Sequence, residues 1–221
     1  HCFDVTDAAL FFGREALVGE LVDHLRTHHF LAVVGASGSG KSSLVRAGLV
    51  PQLQQSITTA ATPLQWSTHI ITPTAQPLRS LALTMTRDAQ TVQETLVLLD
   101  ALQQDVRTLD LYATQLVNRL AKETTKTSRL LLVVDQFEEI FTLCQDRGAR
   151  KSFVDNLLTA VAAKGVVTVV LTLRADFYAH CAEFANLRQA LADQQSYIGP
   201  MTADELRRAI TEPAQRNGWL F

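Results

Sequence analysis

Residues 30–43 read FLAVVGASGSGKSS, and this stretch decides the fold. An apolar run over 30–34 leads directly into G-x-x-x-x-G-K-S at 35–42, which is the pattern of a phosphate-binding loop. Its glycines let the backbone curl closely around an anion with the N–H groups turned inward. A helix that begins near Lys41 would add the positive end of its dipole. The stretch therefore predicts a β-strand, a phosphate-binding loop (the P-loop, residues 35–42) and a helix, in that order.

The side chains of the P-loop suit a nucleotide that carries Mg²⁺. Lys41 can place its charge against the β- and γ-phosphates, and the Ser42 hydroxyl is suited to the metal ion. The alternative is a flexible turn of glycine and serine, but a chance match in a chain of 221 residues is on the order of one in a hundred. We expect the nucleotide to contact Gly35, Ser37, Gly38, Ser39, Gly40, Lys41, Ser42 and Ser43.

Apolar runs and amphipathic segments alternate along the whole chain. Strands are predicted over 30–34, 66–72, 130–135, 166–173 and 196–199. Because the runs over 30–34, 130–134 and 166–173 are continuously apolar, these strands should be buried on both faces, as in a parallel sheet. Helices are predicted over 15–27, 41–55, 78–87, 91–102, 105–122, 153–163, 177–192 and 202–212. The alternation predicts a three-layer α/β fold with a mostly parallel five-stranded sheet.

Three local signals mark helix ends. Pro51 should kink or end the helix over 41–55, because proline lacks the backbone N–H that the helix needs. Thr91 and Thr202 each stand three residues before a glutamate, which is the pattern of a capping box at a helix N-terminus.

An aspartate, Asp135, follows the apolar run over 130–134 at the expected carboxyl end of a strand. Ligands of parallel sheets bind at this edge, where a carboxylate can orient Mg²⁺ or its water shell. The alternative is an ordinary loop or capping aspartate, which would be preferred if Asp135 stood alone. Beside the P-loop, the sequence favours a metal site made by Ser42 and Asp135.

Two glutamates follow Asp135 and are candidates for a general base. Glu138 or Glu139 could polarise the attacking water, and geometry favours Glu138. The alternative is a solvated helix face, since Glu139 lies nearly opposite the apolar stripe of that segment.

Arg174 follows the strand over 166–173 and is the third catalytic candidate. A cation at this position could reach the γ-phosphate and so distinguish ATP from ADP. The alternative is an ion pair with Asp176 or Glu183.

Composition excludes several classes of protein. The net charge is −2 and the isoelectric point about 6.3, so neither a nucleic acid nor an anionic membrane is an expected partner. No apolar run reaches the ~18 residues that span a bilayer, and no leader peptide is seen. The widely spaced cysteines Cys2, Cys144 and Cys181 indicate free thiols in a reducing cytoplasm. A first residue other than Met and an apolar end at 219–221 predict that the chain is part of a longer protein.

Several motifs match a known family together. They are FFGRE at 11–15, VVGASGSGKSSLVRAGL at 33–49, LLLVVDQFEEIF at 130–141, VVLTLRADFY at 169–178 and GPMTADELRRAI at 199–210. Jointly these motifs resemble the STAND class of signalling NTPases, and most closely its bacterial family called novel STAND NTPase 1.

The resemblance implies an AAA+-like ATPase switch that is held off with ADP and turned on by ATP and self-association. It implies that Gly13 and Arg14 lie on the adenine side of the nucleotide and that Arg174 senses the phosphate. It further implies that Pro200 packs on the base, at the hinge to a helical lid. Relatives of this kind carry C-terminal WD40 or TPR repeats or an N-terminal effector domain.

The sequence also departs from related motors and leaves rival functions open. Gln136 follows Asp135, so the adjacent Asp-Glu pair of AAA+ motors is missing. We expect residues 1–200 to form the nucleotide-binding domain and 201–221 to begin a lid, which leaves turnover by this chain open. The rivals are a small-molecule kinase, whose acceptor site the segment 78–124 could hold, and a nucleotide-bound scaffold without turnover. An ABC-type transporter ATPase is disfavoured because no LSGGQ-like signature is present.

Overall fold

A computed structural model describes residues 2–55, 64–88, 91–124, 127–163, 165–216 and 218 of the 221-residue chain. Its centre is a five-stranded sheet in which all neighbouring strands are parallel. The strands are β1 (Phe30–Gly35), β2 (Leu64–Ile71), β3 (Thr127–Val134), β4 (Val167–Arg174) and β5 (Gln195–Ile198). They lie in the order β2-β3-β4-β1-β5. The predicted three-layer α/β fold with a parallel sheet is therefore confirmed.

The strand order brings the predicted functional segments to one edge of the sheet. Because β4 lies between β1 and β3, the carboxyl ends of these three strands lie side by side. The P-loop follows β1, Asp135 follows β3, and Arg174 ends β4. The register pairs Gly35 with Arg174 and Val134 with Leu171. Asp135 therefore emerges beside Thr172, and Arg174 ends level with the start of the P-loop.

Side chains of the strands alternate between two hydrophobic cores, one on each face of the sheet. In β1, Phe30, Ala32 and Val34 face one core, and Leu31 and Val33 face the other. Burial on both faces explains why β1, β4 and the second half of β3 read as continuous apolar runs. The α-helices outside the segment 41–55 are Glu15–Thr27, Pro77–Met85, Val92–Gln104, Thr108–Thr124, Glu139–Thr142, Arg147–Ala162, Ala185–Asp193 and Ala203–Arg216. Among the described helices, none is both long and apolar enough to cross a membrane.

The helix after the P-loop reaches Gln55, the predicted end, so of the two expectations for Pro51 the one that it ends the helix is not met. Its middle part, Leu44–Leu49, is π-helical, and the N–H of Val50 donates to Val45 O, five residues back. The irregularity thus precedes the proline, where the wider turn already changes the hydrogen-bond ladder.

Two capping predictions have different outcomes. At Thr202 the capping box is present, because Glu205 N donates to Thr202 Oγ1 at 3.3 Å and Thr202 N donates to Glu205 Oε2 at 2.7 Å. At Thr91 it is absent, because the Thr91 hydroxyl donates to the Glu94 side chain instead. A further cap was not predicted: Asp146 accepts from two backbone N–H groups and starts the helix Arg147–Ala162 earlier than expected.

Candidate nucleotide-binding site

The P-loop connects β1 to the helix over 41–55 and needs glycine at three positions. Gly38 and Gly40 have φ of 74° and 87°, in the left-handed region that favours glycine. A Cβ atom added to Gly35 would lie 2.8 Å from Ser39 Oγ and 2.9 Å from the backbone oxygen of Ile198. Larger residues are therefore excluded at each point where the loop turns.

Lys41 is buried and folds back over its own loop. Its Nζ donates to Gly35 O at 3.0 Å and to Ala36 O at 2.7 Å. Burial lowers the pKa of the Lys41 ammonium, and the negative charge of Glu138 opposes this shift. The ammonium group is thus held at the P-loop with neutral acceptors, which an anionic group would outcompete.

Asp135 is the best-supported carboxylate in the site, with only 2% of its surface exposed. Its Oδ1 accepts from Ser42 Oγ at 2.7 Å and from Thr172 Oγ1 at 2.6 Å. Its Oδ2 accepts from Arg46 Nε at 2.9 Å. Because the Ser42 hydroxyl donates its hydrogen bond to Asp135, the lone pairs of its oxygen remain available to a cation. Ser42 and Asp135, the two residues predicted for the metal site, are therefore in direct contact.

Thr172 and Arg46 were missed by sequence reasoning. Thr172 lies inside an apolar strand, where a β-branched residue is expected for packing alone. Arg46 lies in the helix predicted over 41–55, and the apolar spacing that predicts this helix does not show what its polar residues contact. A polar residue two positions before the end of β4 is the signal that could have found Thr172.

A pocket of about 260 Å³ opens beside the P-loop. Eight predicted site residues line it: six from the P-loop and the start of the following helix, Glu138 from the turn after β3, and Arg174 at the end of β4. The complete lining is Cys2, Ser37, Gly38, Gly40, Lys41, Ser42, Ser43, Gln136, Glu138, Thr172 and Arg174.

The two glutamates are placed differently. Glu138 lines the pocket, and its Oε2 accepts a hydrogen bond from the backbone N–H of Arg174 at 3.2 Å. Glu139 does not line the pocket, and its Oε2 accepts from the N–H of Thr74 at 3.2 Å. Burial raises the pKa of the Glu139 carboxyl. The arrangement favours Glu138 as the group that can meet a water molecule in the pocket.

Arg174 lines the pocket but directs its guanidinium to Asp176. Its Nε and Nη2 donate to the two carboxylate oxygens at 3.1 and 2.6 Å, and the group lies 5.3 Å from the ring centre of Phe177. The hydrogen bonds from Arg174 lower the pKa of the Asp176 carboxyl. The ion pair considered in the sequence is therefore present, at the rim of the pocket.

Gly13, Arg14 and Pro200 lie away from this pocket, where the helix Ala203–Arg216 begins. Arg14 is buried, and its Nη2 donates to Gly199 O at 2.6 Å while its Nη1 lies 3.4 Å from Glu205 Oε1. Gly13 has φ of 88°, and a Cβ atom there would collide with the backbone oxygen of Glu205. Pro200 is exposed. These contacts tie the segment before the first helix to the C-terminal helix.

The residues at the P-loop fit a nucleotide with Mg²⁺. The Ser39 hydroxyl oxygen is buried in the loop without a hydrogen-bond partner. Ser42 and Asp135 present hard oxygen atoms, which Mg²⁺ prefers. Across the described residues, no group of three or more His, Cys, Asp or Glu side chains is arranged to hold a metal ion. A metal that arrives on phosphate oxygens needs only one or two protein groups.

Solved structures share this fold at low sequence identity. The Aeropyrum pernix ORC2 protein (ADPNP-ADP complexes) matches with a TM-score of 0.57 and 16% identity over 91% of this chain and 50% of its own. The Walker-type ATPase of Pyrococcus abyssi matches with a TM-score of 0.56 and 12% identity over 96% of this chain and 60% of its own. A chain of the E. coli MS115-1 HORMA:CdnC:Trip13 complex matches with a TM-score of 0.55 and 13% identity over 96% of this chain and 71% of its own.

The chain therefore spans about half to three fifths of the ORC2 protein and the Walker-type ATPase. A comparison with curated proteins gives no match. The model of the family described as Novel STAND NTPase 1 matches residues 1–221. The P-loop geometry, the sheet order and this match agree, and the chain belongs to the novel STAND NTPase 1 family.

Proposed function

We propose that this chain is the nucleotide-binding domain of a regulatory switch that binds ATP or ADP with Mg²⁺ and hydrolyses ATP. The observation that carries the proposal is the 2.7 Å hydrogen bond from Ser42 Oγ to Asp135 Oδ1 beside the P-loop pocket. P-loop NTPases hold their metal with such a hydroxyl and carboxylate. Membership of a family of NTPases supports the same reading.

Four residues at the P-loop have definite tasks in this proposal. Lys41 exchanges its two carbonyl acceptors for β- and γ-phosphate oxygens. Ser42 and Asp135 would hold Mg²⁺, and the hydrogen bond between them fixes the position of the Ser42 hydroxyl. Mg²⁺, when bound, neutralises charge on the phosphate oxygens. Glu138 accepts a proton from the attacking water, since it is the glutamate that faces the pocket.

The switch itself would use Arg174 and the C-terminal helix. Arg174 would contact the γ-phosphate, which is present in ATP and absent in ADP, and a ligand shifts a conformational equilibrium only through such differential contacts. Residues 1–200 would form the nucleotide-binding domain, and 201–221 would begin the lid. Gly13, Arg14 and Pro200 would lie on the adenine side of the nucleotide and at the lid hinge, as the contacts of Arg14 with Gly199 and Glu205 allow.

The setting of the domain follows from family analogy. A cytoplasmic bacterial signalling protein with C-terminal repeats or an N-terminal effector domain, which self-associates when ATP is bound, is the setting we propose.

Calorimetric titration with ADP and Mg²⁺ tests nucleotide binding. Lys41→Ala should weaken binding at least about tenfold, because hydrogen bonds to a charged group are worth roughly 1.5–3 kcal/mol each. Lys151→Ala is the matched control, since Lys151 forms an exposed ion pair with Asp155 away from the P-loop. Equal affinity of wild type and Lys41→Ala would refute the proposal. Binding without phosphate release from ATP would support the scaffold reading instead.

A further inference from the structure

One hydroxyl group, that of Thr172, contacts two consecutive residues of the turn that follows β3. Thr172 Oγ1 donates to Asp135 Oδ1 at 2.6 Å and accepts from the N–H of Gln136 at 2.8 Å. The backbone oxygen of Thr172 accepts from the N–H of the next residue, Phe137, at 2.9 Å. Three successive residues of the turn are therefore fixed by a single residue of the neighbouring strand.

Thr172 is buried, so the hydrogen bonds of its hydroxyl contribute to the stability of the turn. Only 1% of its surface is exposed, and a buried hydroxyl is costly unless it is hydrogen-bonded. Here both its donor and its acceptor capacity are used within the turn. The contact follows from strand register, because the pairing of Val134 with Leu171 sets Asp135 beside Thr172.

The backbone of the turn needs such support. Gln136 has φ of 57°, in the left-handed region, and it is exposed at the pocket. A residue with a side chain pays a cost in this region and stays there only when its surroundings hold it. The N–H of Gln136 bonds to the Thr172 hydroxyl, which is therefore one of the groups that hold this conformation.

We propose that Thr172 is a positioning residue that keeps the Asp135 carboxylate aimed at Ser42 and holds Gln136 and Glu138 at the pocket. This role rests on the proposed function, because it makes Mg²⁺-dependent nucleotide binding depend on a group that need not touch the nucleotide. Thr172 acts through Asp135 and the turn.

The same strand provides a matched control. Thr168 lies four residues earlier on the same face of β4, is fully buried, and has its Oγ1 3.5 Å from His29 Nδ1. It is roughly 13 Å from Thr172 along the strand. Replacing either threonine with valine removes one buried hydroxyl and keeps the shape, so a general effect on the core should appear in both.

The experiment compares wild type, Thr172→Val, Thr172→Ser and Thr168→Val as full 221-residue chains. The first readout is the ratio of ADP affinity with Mg²⁺ to that in EDTA. Thr172→Val should reduce this ratio by about ten- to hundredfold, the factor expected for a hydrogen bond to a charged group. Thr172→Ser should restore it, and Thr168→Val should leave it unchanged.

The second readout is amide hydrogen exchange without nucleotide. Exchange at Gln136 and Phe137 should become faster in Thr172→Val and remain at the wild-type rate in Thr172→Ser and Thr168→Val. An unchanged ratio or unchanged exchange in Thr172→Val, or an equal loss in Thr168→Val, would overturn the proposal. If wild type binds no nucleotide, the proposed function fails by itself, and the exchange rates still decide whether Thr172 holds the turn.

Discussion

The backbone N–H of Arg174 donates a hydrogen bond to Glu138 Oε2 at 3.2 Å. This bond joins the turn after β3 to the last residue of β4, and both residues line the P-loop pocket. The carboxylate of Glu138, the candidate base, is thus bound by the backbone of Arg174, the candidate sensor. The guanidinium of Arg174 is paired with Asp176 instead. Substitution of the Arg174 side chain should therefore leave the Glu138 contact in place.

Arg174 and Asp176 should affect ATP and ADP differently. Arg174→Ala should weaken ATP binding by about 1–3 kcal/mol and leave ADP binding unchanged, because only ATP offers a γ-phosphate to the guanidinium. Asp176→Asn should strengthen ATP binding slightly, since the exposed ion pair no longer competes for the guanidinium. Competition titrations with both nucleotides measure these differences.

Asp105→Asn is the control for this comparison. Asp105 pairs with Arg107 at the same two-residue separation, also at the surface, and lies outside the P-loop pocket. It should change neither affinity. Equal losses of ATP and ADP in Arg174→Ala, or no loss of either, would assign Arg174 a structural role only.

Glu138 and Glu139 should separate in ATP hydrolysis. Glu138→Gln should lower the rate by about 10²–10⁴-fold, the usual contribution of a general base, while ADP affinity stays within error of wild type. Glu139→Gln should hydrolyse ATP at close to the wild-type rate, because its carboxylate is occupied by the N–H of Thr74 outside the pocket. Phosphate release from ATP by wild type and both variants is the measurement.

The opposite pattern would transfer the role to Glu139. Wild-type rates in both single variants and in the double variant would exclude both glutamates as the base.

Cys2 should be the fast-reacting thiol of the chain and should report on the pocket. It is exposed, lines the pocket, and accepts a hydrogen bond from Ser43 Oγ at 3.5 Å. Cys144 and Cys181 are buried, and burial raises the pKa of the Cys181 thiol to about 12, so its reactive thiolate is scarce. We expect iodoacetamide to label Cys2 first and ADP with Mg²⁺ to slow that labelling.

Mass spectrometry of peptides at several labelling times follows each cysteine separately. Cys2→Ser should remove the fast reaction. In the unfolded wild-type chain, all three cysteines should react. Labelling of Cys2 at the same rate with and without saturating nucleotide would place the bound nucleotide elsewhere.

The sheet could be predicted from the sequence because a strand buried on both faces leaves a continuous apolar run. The segment over 166–173 was recognised for this reason and corresponds to β4. The P-loop was recognised because its glycines and Lys41 stand in a fixed spacing that the geometry demands. Asp135 was found by its position after an apolar strand. Each of these features depends only on residues that are close in sequence, so it can be recognised from the sequence alone.

The contacts between segments could not be predicted in the same way. The bond from Thr172 to Asp135 depends on the register of β3 against β4, which periodicity does not specify. Arg46 reaches Asp135 from a helix whose π-helical part is not visible in its apolar pattern. The choice of Glu138 over Glu139 likewise depends on which carboxylate the turn directs into the pocket.

Gly13 should anchor the C-terminal helix, Ala203–Arg216, to the rest of the chain. With φ of 88° and the backbone oxygen of Glu205 in the place of a Cβ atom, alanine at this position is both strained and blocked. Gly13→Ala should therefore lower the free energy of unfolding by about 1–3 kcal/mol. It should also speed amide exchange along the C-terminal helix, because the neighbouring bonds of Arg14 to Gly199 and Glu205 would be displaced.

Gly19→Ala separates this anchoring from a general effect of replacing glycine. Gly19 lies within the helix Glu15–Thr27, and a Cβ atom there meets nothing within 4 Å. The substitution should stabilise the chain by roughly 0.5–1 kcal/mol through helix propensity and leave exchange of the C-terminal helix unchanged. Denaturant unfolding and site-resolved exchange measure both variants. If Gly13→Ala exchanges along the C-terminal helix at the wild-type rate, the helix is held by other contacts, and the close approach of Gly13 to Glu205 does not anchor it.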